Sequence, residues 1–308
     1  MTPTTAAANA DLMLAVKGRG LWEDARRRLV RNKAAVASMG ILAAIALMAI
    51  FAPLLSPYSY EEIDYNLVQC APGWWPGGNV ICRAGGAHWL GMDSVGRDLF
   101  VRTLYGARVS LAVGLVATCV SLLIGVLYGA TAGFIGGRLD GIMMRIVDIL
   151  YSLPFIFFVI ILMVVFNQNF FLLFVAIGAV EWLTMARIVR GQTLSVKQKE
   201  FIEAARAAGV GTSGIIGRHI IPNVVGPVVV YVTLTIPTVI LSESFLSFLG
   251  LGIREPLTSW GVLISEGANS LETAPWMLLF PAGFMAVTLF CFNFIGDGLR
   301  DALDPKDR

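Results

Sequence analysis

Six long apolar runs constrain this chain more than any other feature of its sequence. A run of about 20 apolar residues is long enough for a helix to cross a hydrocarbon core of roughly 30 Å. A segment in lipid must also satisfy its own backbone hydrogen bonds, which favours helices. The runs of this length are approximately 34–55, 109–135, 141–166, 170–188, 224–241 and 277–295. The sequence therefore predicts an all-α integral membrane protein with six transmembrane helices.

The composition excludes a soluble protein. Only 14% of the 308 residues are charged, whereas a soluble domain has about 25%. The N-terminus does not have the form of a cleavable signal peptide, because some 33 residues precede the first run and that run is longer than a signal core. We therefore expect the first span to remain as an anchor.

The placement of lysine and arginine predicts the orientation. These residues are retained on the cytoplasmic side, and they are dense before the first span and in the segment 187–218. Both termini are therefore predicted to be cytoplasmic, and the net charge of +2 reflects topology rather than a nucleic-acid partner. The predicted parts are a basic cytoplasmic segment (1–33), the first transmembrane helix (34–55), an extracytoplasmic loop (56–108), a five-helix core (109–296) with a cytoplasmic loop at 190–222, and a cytoplasmic tail (297–308).

Two of the four cysteines lie in the predicted external loop. Cys70 and Cys82 are separated by eleven residues there, and a disulfide between them is expected if that side is oxidising. Two free thiols, or ligands of a metal with unidentified partners, are the alternatives. Cys119 and Cys291 lie inside spans and are expected to be packing residues.

Two spans carry residues that change how helices pack. Ser121, Gly125, Gly129 and Gly133 repeat every four positions in the second span, a spacing that lets helix backbones approach closely in lipid. The fifth span contains Pro227 and Pro237. Such prolines accompany helices that line a pathway, or they produce a simple kink.

Carboxylates inside or near the spans are candidates for a pathway or gate, because ionisable residues in lipid face protein or water. Asp148 and Glu181 either line the passage or form hydrogen bonds between helices. Glu243, which follows Pro237 near the outer end of the fifth span, lines the passage or has a structural role near the outer gate.

The polar stretch EFIEAARAAGVGTSGIIGRHIIPN, residues 200–223, interrupts this apolar chain. Phe201, Ala204, Ala205 and Ala208 fall on one face of a short helix, and Gly209 is expected to end it in a left-handed conformation. A second short helix is expected to stop before Pro222. The first helix is interpreted either as a knob presented to another protein or as an amphipathic connector on the membrane.

Features of an enzyme are missing from the sequence. It contains no G-x-x-x-x-G-K-[ST] phosphate-binding loop and no Gly-Lys dipeptide. The two histidines, His88 and His219, are predicted to lie on opposite sides of the membrane, so they cannot share a metal. We therefore expect no catalytic site, no metal and no cofactor bound by this chain.

Three blocks resemble the permeases of ATP-binding-cassette (ABC) importers. Glu203-Ala204-Ala205 with Gly209, followed by the residues 219–222, is similar to the EAA loop of that family. The block GMDSVGRDLFVRTLYGARVSL (91–111) is similar to the block that precedes the second span in this family, and LSFLGLGIREPLTSWG (246–261) resembles the C-type subunit of its dipeptide and oligopeptide branch. In the first of these blocks, Met92 and Val101 stand where the family usually has threonine and serine.

The resemblance implies a type I ABC importer permease fold in a bacterial cytoplasmic (inner) membrane. It implies pairing with a B-type permease, two ATPase subunits that bind ATP and magnesium, and an extracytoplasmic peptide-binding protein. The residues that it assigns to contact with the ATPase are Glu203, Ala204, Ala205, Arg206, Ala207, Ala208 and Gly209.

Other functions are compatible with parts of the sequence. Permeases of the same architecture import nickel, glutathione or another small ligand. From different classes, a secondary transporter or channel driven by an ion gradient requires intramembrane ion ligands, and a membrane scaffold requires no transport. Neither of these two classes explains the EAA loop.

Overall fold

The computed structural model describes residues 21–76, 82, 86, 88–166 and 170–303. Within these residues the chain is helical, and β pairing is limited to an isolated antiparallel bridge between Met92 and Asp98. Four of the described helices are long and apolar enough to cross a membrane, or up to five if a bent pair forms one span. The all-helical membrane class is therefore as predicted, while the count of six spans stays a prediction.

The helices are numbered here in chain order. In the first half they are α1 (Leu21–Arg31), α2 (Lys33–Ile50), α3 (Ala52–Leu55), α4 (Leu99–Ile135), α5 (Gly137–Ser152) and α6 (Phe155–Phe166). In the second half they are α7 (Phe170–Val196), α8 (Glu200–Ala207), α9 (Thr212–Ile215), α10 (Ile221–Phe248), α11 (Trp260–Asn269) and α12 (Trp276–Leu303), with a π-helical turn (Ile216–Ile220) before α10.

Helix α4 begins ten residues before the predicted second span. Its first turn is capped by Asp98, whose side chain accepts a hydrogen bond from the Val101 backbone at 2.8 Å, which satisfies a donor that the helix leaves free. The Asp98 carboxylate also lies 2.7 Å from His88 Nδ1. Residues 99–108, predicted as part of the external loop, are therefore helical, because a capping side chain and not the end of the apolar run sets the boundary.

Helix α2 ends five residues before the predicted end of the first span. The guanidinium of Arg108 donates to the carbonyl of Ile50 at 2.9 Å, and also to that of Ala49. An arginine at this position satisfies carbonyls that the last helical turn leaves free. The rest of the predicted span, up to Leu55, forms the separate short helix α3.

The third apolar run is broken, so the prediction of one helix over 141–166 is wrong. The axes of Gly137–Ser152 and Ile156–Leu162 differ by 85°. Between them Leu153 is extended, with φ −75° and ψ 130°, as expected for a residue that precedes a proline. Pro154 has no backbone N–H to continue α5, and an apolar pattern alone does not reveal such a break.

Helices α4 and α7 pack against each other along the small residues of α4, as the sequence predicts. A Cβ atom added to Gly125 would lie 2.6 Å from the Cβ of Met185, and one added to Gly133 would lie 2.9 Å from the Arg190 carbonyl oxygen. The opposite face of α4 exposes large apolar side chains, including Leu123. Helix α4 therefore presents its small residues to protein and Leu115, Leu123 and Leu127 to lipid.

Candidate functional site

The loop at 190–222, predicted to be cytoplasmic, contains the helix and glycine turn that the sequence predicts. After α8, the Gly209 N–H donates to the Arg206 carbonyl at 2.9 Å, and the Val210 N–H donates to the Ala205 carbonyl at 3.1 Å. This pair of bonds is the Schellman arrangement, which requires a left-handed residue after the helix. Gly209 has φ +77°, so its predicted conformation is confirmed.

The apolar face of α8 differs from the predicted stripe. Ile202 and Ala205 are buried and join an apolar cluster that includes the end of α4 and the start of α10. Phe201, Ala204 and Ala208 are exposed. Ala205 therefore lies at the inner edge of the predicted stripe, buried beside Ile202, while the other three residues are exposed. The outer side keeps two alanines and Phe201 free for another protein.

The remaining predicted coupling residues, Glu203, Arg206 and Ala207, are exposed. The Arg206 guanidinium lies 5.0 Å from the ring centre of Phe134, and the Lys197 ammonium lies 5.7 Å from the same ring centre. Cations over an aromatic face are attracted to it. Arg206 therefore turns back toward the end of α4, whereas Glu203 points away from the chain's own core.

The second helix of this loop does not stop before Pro222, so that prediction is wrong. Residues Thr212–Phe248 form one continuous helix, and the π turn lies directly before Pro222. In this turn the Ile221 N–H donates to the Ile216 carbonyl, five residues back. The wider turn accommodates a residue without an N–H, so the loop is joined rigidly to α10.

Glu243 lies inside the chain, where it joins three segments. It is fully buried, and its carboxylate accepts hydrogen bonds from Ser247 on its own helix and Ser259 before α11, both at 2.7 Å, and from Ser110 on α4 at 3.4 Å. The Ser110 oxygen in turn accepts a hydrogen bond from the Trp260 backbone N–H at 3.1 Å. This placement favours the structural alternative for Glu243, and Pro237 is also buried within α10.

Asp148 pairs with a basic residue of the neighbouring helix. Its carboxylate accepts a hydrogen bond from Arg187 on α7 at 2.8 Å, and both side chains are substantially exposed. The Arg187 guanidinium also lies 4.5 Å from the ring centre of Tyr151. The geometry therefore matches the interhelix alternative for Asp148.

Glu181 lines a cavity of about 610 Å³ between α7, α10 and the break after α5. Sequence reasoning identified Glu181 as a pathway candidate but missed its neighbours Tyr151, Thr184, Tyr231 and Thr235. A second cavity of about 470 Å³ shares the wall residues Tyr231 and Leu234 and extends to Pro227 and to Arg300 near the end of α12. The two cavities follow α10 from its middle toward the loop at 190–222.

A buried acidic residue, Asp93, organises the segment that is predicted to be external. Asp93 is fully buried and accepts hydrogen bonds from the Val95 N–H at 2.8 Å, from the Arg97 N–H at 2.9 Å and from Arg97 Nε at 2.7 Å. Arg102 also donates to it. Burial raises the pKa of Asp93, but the Arg102 charge and the hydrogen bonds from Arg97 and Val95 outweigh it, so the pKa lies below its usual range.

The same arginines connect the external loop to the later part of the chain. Arg97 donates to Glu255 at 2.7 Å, and Arg102 donates to Glu266 of α11 at 2.8 Å. The blocks 91–111 and 246–261 both stand out in the sequence, but the contact between them was not predicted. The signal was the pairing of two arginines in one block with two glutamates in or just after the other.

The four cysteines differ in bonding and burial. Cys70 and Cys82 form a disulfide with a Cα–Cα distance of 5.2 Å, which is the pairing that the sequence favours. Cys291 is buried, as expected of a packing residue, but Cys119 is exposed, so that expectation was wrong for it. In the part of the chain that the structure describes, no group of three or more histidine, cysteine, aspartate or glutamate residues is placed to hold a metal.

Comparisons with known proteins identify relatives over nearly the whole chain. The family model of the binding-protein-dependent transport system inner membrane component matches residues 96–308. The model of the N-terminal TM domain of oligopeptide transport permease C matches residues 20–72. The two matches leave only residues 73–95, within the predicted external loop, between them, and together they include residues 190–222 and the cavity residues.

Individual relatives agree with these matches. The chain is 60% identical to the oligopeptide transport system permease protein OppC of Escherichia coli (strain K12), over 96% of this chain and 94% of the relative. It is 56% identical to the protein of the same name from Haemophilus influenzae, over 95% and 91%. It is 45% identical to the dipeptide transport system permease protein DppC of Bacillus subtilis (strain 168), over 93% and 86%.

Proposed function

The chain belongs to the family of binding-protein-dependent transport system inner membrane components, and from this premise we propose that it is the C-type permease subunit of an ABC importer for oligopeptides. The observation that carries the substrate class is the 60% identity, over 96% of this chain, to an oligopeptide permease. The match of residues 20–72 to the N-terminal domain of permease C supports the subunit type.

The free energy of ATP hydrolysis in the partner subunits would be transmitted to this chain through the exposed side of α8. The exposed alanines at positions 204 and 208 let a partner surface approach closely, and Glu203 points toward that surface. The groove of an ATPase subunit is the proposed partner surface. Because this chain has no phosphate-binding loop, we propose that it is not an enzyme and that ATP and magnesium are bound by the two ATPase subunits.

Motion of α8 would reach the pathway through packed side chains. Ile202 and Ala205 on the inner side of α8 belong to the same apolar cluster as Val224 and Val228 of α10. Farther along α10, Tyr231 contributes to the walls of both cavities. A displacement of α8 is therefore transmitted along one helix to the cavity walls, which a second, B-type permease would close from the other side.

The remaining parts of the proposal concern topology and partners. Six spans with both termini in the cytoplasm place α8 inside and the Asp93 network outside, consistent with the distribution of basic residues. The protein is then a multi-pass protein of the bacterial cytoplasmic membrane. An extracytoplasmic binding protein would deliver the peptide to the external side.

A dipeptide importer is the second candidate, favoured by the 45% identity to a dipeptide permease. Import of nickel, glutathione or another small ligand by the same architecture stays an alternative. Peptide length separates the first two candidates. An importer of oligopeptides is expected to transport a pentapeptide against a tenfold excess of dipeptide, whereas an importer of dipeptides is not.

Gentle purification from the native membrane tests the proposal, with mass spectrometry of the proteins that accompany the chain. We expect two ATPases and a second permease, and ATP-dependent peptide uptake once this complex and its binding protein are reconstituted in liposomes. Purification of the chain alone, with transport that needs no ATP, would contradict the proposal and favour an ion-driven transporter.

A further inference from the structure

Glu181 is an acidic side chain without a partner inside the described part of the chain. It is partly buried, and it forms no ion pair or hydrogen bond with any described residue. Among the described residues that line its cavity of about 610 Å³, it is the only charged one. A carboxylate in a membrane protein is costly unless it faces water, a proton or a cation. The cavity therefore suits a positively charged group.

The hydroxyl groups on the cavity wall add acceptors. The Thr235 hydroxyl donates to the Tyr231 carbonyl at 2.9 Å, and the Thr238 hydroxyl donates to the Leu234 carbonyl at 3.3 Å. A hydroxyl that has used its proton offers only lone pairs to a ligand. Both threonines line the cavity with Glu181, so the wall can accept several hydrogen bonds from one donor group.

Aromatic rings complete the site. Tyr151 and Tyr231 line the same cavity. The Arg187 guanidinium already lies over one face of the Tyr151 ring, and the face of a tyrosine ring such as that of Tyr231 attracts an ammonium group. The basic residue beside Tyr151 is Arg187, which is already paired with Asp148 at 2.8 Å and does not line the cavity. The charge of Arg187 is therefore offset by Asp148. No other cation is fixed beside the Glu181 carboxylate among the described residues that line the cavity.

We infer that Glu181 and the surrounding hydroxyls form a transient site for an alkylammonium group of the passing peptide. This inference rests on the proposed function, because it assigns the substrate of that same pathway. Two sources share this chemistry: the N-terminal ammonium, which every unmodified peptide carries, and the side chain of a lysine residue.

A weak affinity of the Glu181 site for an ammonium group suits a transport pathway. A transported group must bind well enough to enter but weakly enough to leave. Glu181 is only partly buried, so water competes with the ligand and the pairing stays weak. The second cavity is lined by Arg300. This side chain places a positive charge where the peptide would leave toward the cytoplasm.

The reconstituted complex tests the inference with three peptides of one length: one with a free N-terminus and no lysine, its N-acetylated form, and an N-acetylated form with one lysine. Uptake by Glu181→Gln is divided by wild-type uptake for each peptide, so that any preference of the binding protein cancels. Glu272→Gln, an exposed glutamate away from the cavity, is the matched control for loss of one charge.

We expect Glu181→Gln to lower uptake of the free peptide by roughly threefold to tenfold, while uptake of the acetylated peptide without lysine stays at the wild-type value. A loss for the lysine peptide as well would assign the site to any alkylammonium group, and its absence would assign it to the N-terminus. Glu181→Asp, which retains the charge, should recover part of the uptake. An equal loss for all three peptides, or no loss for any, would overturn the inference.

A measurement on the wild-type complex avoids variants that fail to assemble. Carbodiimide modification of Glu181, read by mass spectrometry, should be slowed by the free peptide and unaffected by the acetylated one; equal rates with both would overturn the inference. Wild-type complex that imports no peptide at all would overturn the proposed function together with the inference. Normal import with unchanged Glu181→Gln ratios would overturn the inference alone.

Discussion

Glu243 is held by hydroxyl groups rather than by a cation, and this determines what its replacement should do. Glu243→Ala leaves Ser110, Ser247 and Ser259 without their shared acceptor, at a cost of about 1–3 kcal/mol for each hydroxyl that finds no substitute. Glu243→Gln keeps the volume and one oxygen. We expect the alanine variant to lower the thermal midpoint of the purified protein by several degrees more than the glutamine variant does.

Detergent-solubilised protein and fluorescence-monitored unfolding are sufficient for this comparison. Peptide uptake by the glutamine variant should stay close to that of the wild type if Glu243 is structural. A glutamine variant that is stable but transports nothing would contradict this role and return Glu243 to the pathway candidates.

The lowered pKa of Asp93 predicts that the segment expected to be external is sensitive to acid. Its pKa in the folded protein lies below the ordinary value of 3.8, so the stability that it contributes is fully present above that value and is lost as the pH falls further, through the folded pKa. We expect the packing around Trp276, which Trp75 contacts with a ring-centre distance of 5.7 Å, to loosen reversibly below about pH 4. Tryptophan fluorescence against pH measures this change.

The matched control is Asp93→Asn, which removes the titrating group and keeps its shape. This variant should be less stable at neutral pH, and its fluorescence should change less as the pH falls below 3.8. The same acid transition in both proteins would mean that another group causes the loosening.

The sequence identifies individual residues better than it identifies which way they face. The left-handed Gly209 follows from its position after an alanine-rich helix, because few residues other than glycine adopt that conformation. Asp148, Glu181 and Glu243 all stand out from the hydropathy pattern, yet one is paired, one lines a cavity and one is buried among serines. This difference depends on the rotation of each helix against its neighbours, which hydropathy does not encode.

At the scale of helices, the contact between α4 and α7 gives a sharp prediction. A Cβ atom added to Gly129 would lie 2.9 Å from the Arg190 backbone nitrogen and closer still to the Ala186 carbonyl oxygen. Because both are backbone atoms, Gly129→Ala must separate the helices. We expect a loss of about 1–3 kcal/mol, measured as a lower thermal midpoint and a lower yield of assembled complex.

Gly40→Ala on α2 is the control for this substitution. A Cβ atom added to Gly40 has no neighbour within 4 Å, and alanine has the higher helix propensity. The control should therefore leave the midpoint unchanged or raise it slightly. Equal effects of the two substitutions would show that close packing at Gly129 does not contribute to stability.

The centres of the helices follow from the sequence, but several of their ends do not. Apolar runs predict the middle of α2, α4 and α10 because length and hydropathy suffice there. The start of α4 depends on the side chain of Asp98, and the end of α2 on Arg108, which lies 58 residues from Ile50 in the chain. Pro154 breaks its run whereas Pro222 continues a helix, because a π turn precedes only the second.

At the scale of the whole molecule, α10 connects three functional regions. Its first turns belong to the apolar cluster that contains Ile202 and Ala205 of α8. Its middle contributes Tyr231 to both cavities, and its far end contributes Glu243 to the contacts with α4 and α11. Under the proposed function, a displacement of α8 would therefore reach the Glu243 end of α10 through one helix.

Substitution of Gly209 tests this connection, because this residue determines the direction in which the chain leaves α8. Gly209 has φ +77° and no atom within 4 Å of an added Cβ, so Gly209→Ala adds conformational strain of about 1–2 kcal/mol without a clash. Gly211, two residues later, has φ −65° and equally open surroundings. Gly211→Ala is therefore a control with the same change in side chain and no such strain.

We expect Gly209→Ala to insert into the membrane normally but to change the angle at which α8 meets its partner. In the reconstituted complex, the number of peptides imported per ATP hydrolysed should fall several-fold, whereas Gly211→Ala should retain the wild-type ratio. A bulkier Gly209→Trp variant should lose either the ATPase subunits or the coupling of hydrolysis to import. Wild-type transport and ATPase activity in the tryptophan variant would mean that α8 is a passive connector, and the route from ATP to the cavity would then have to begin elsewhere.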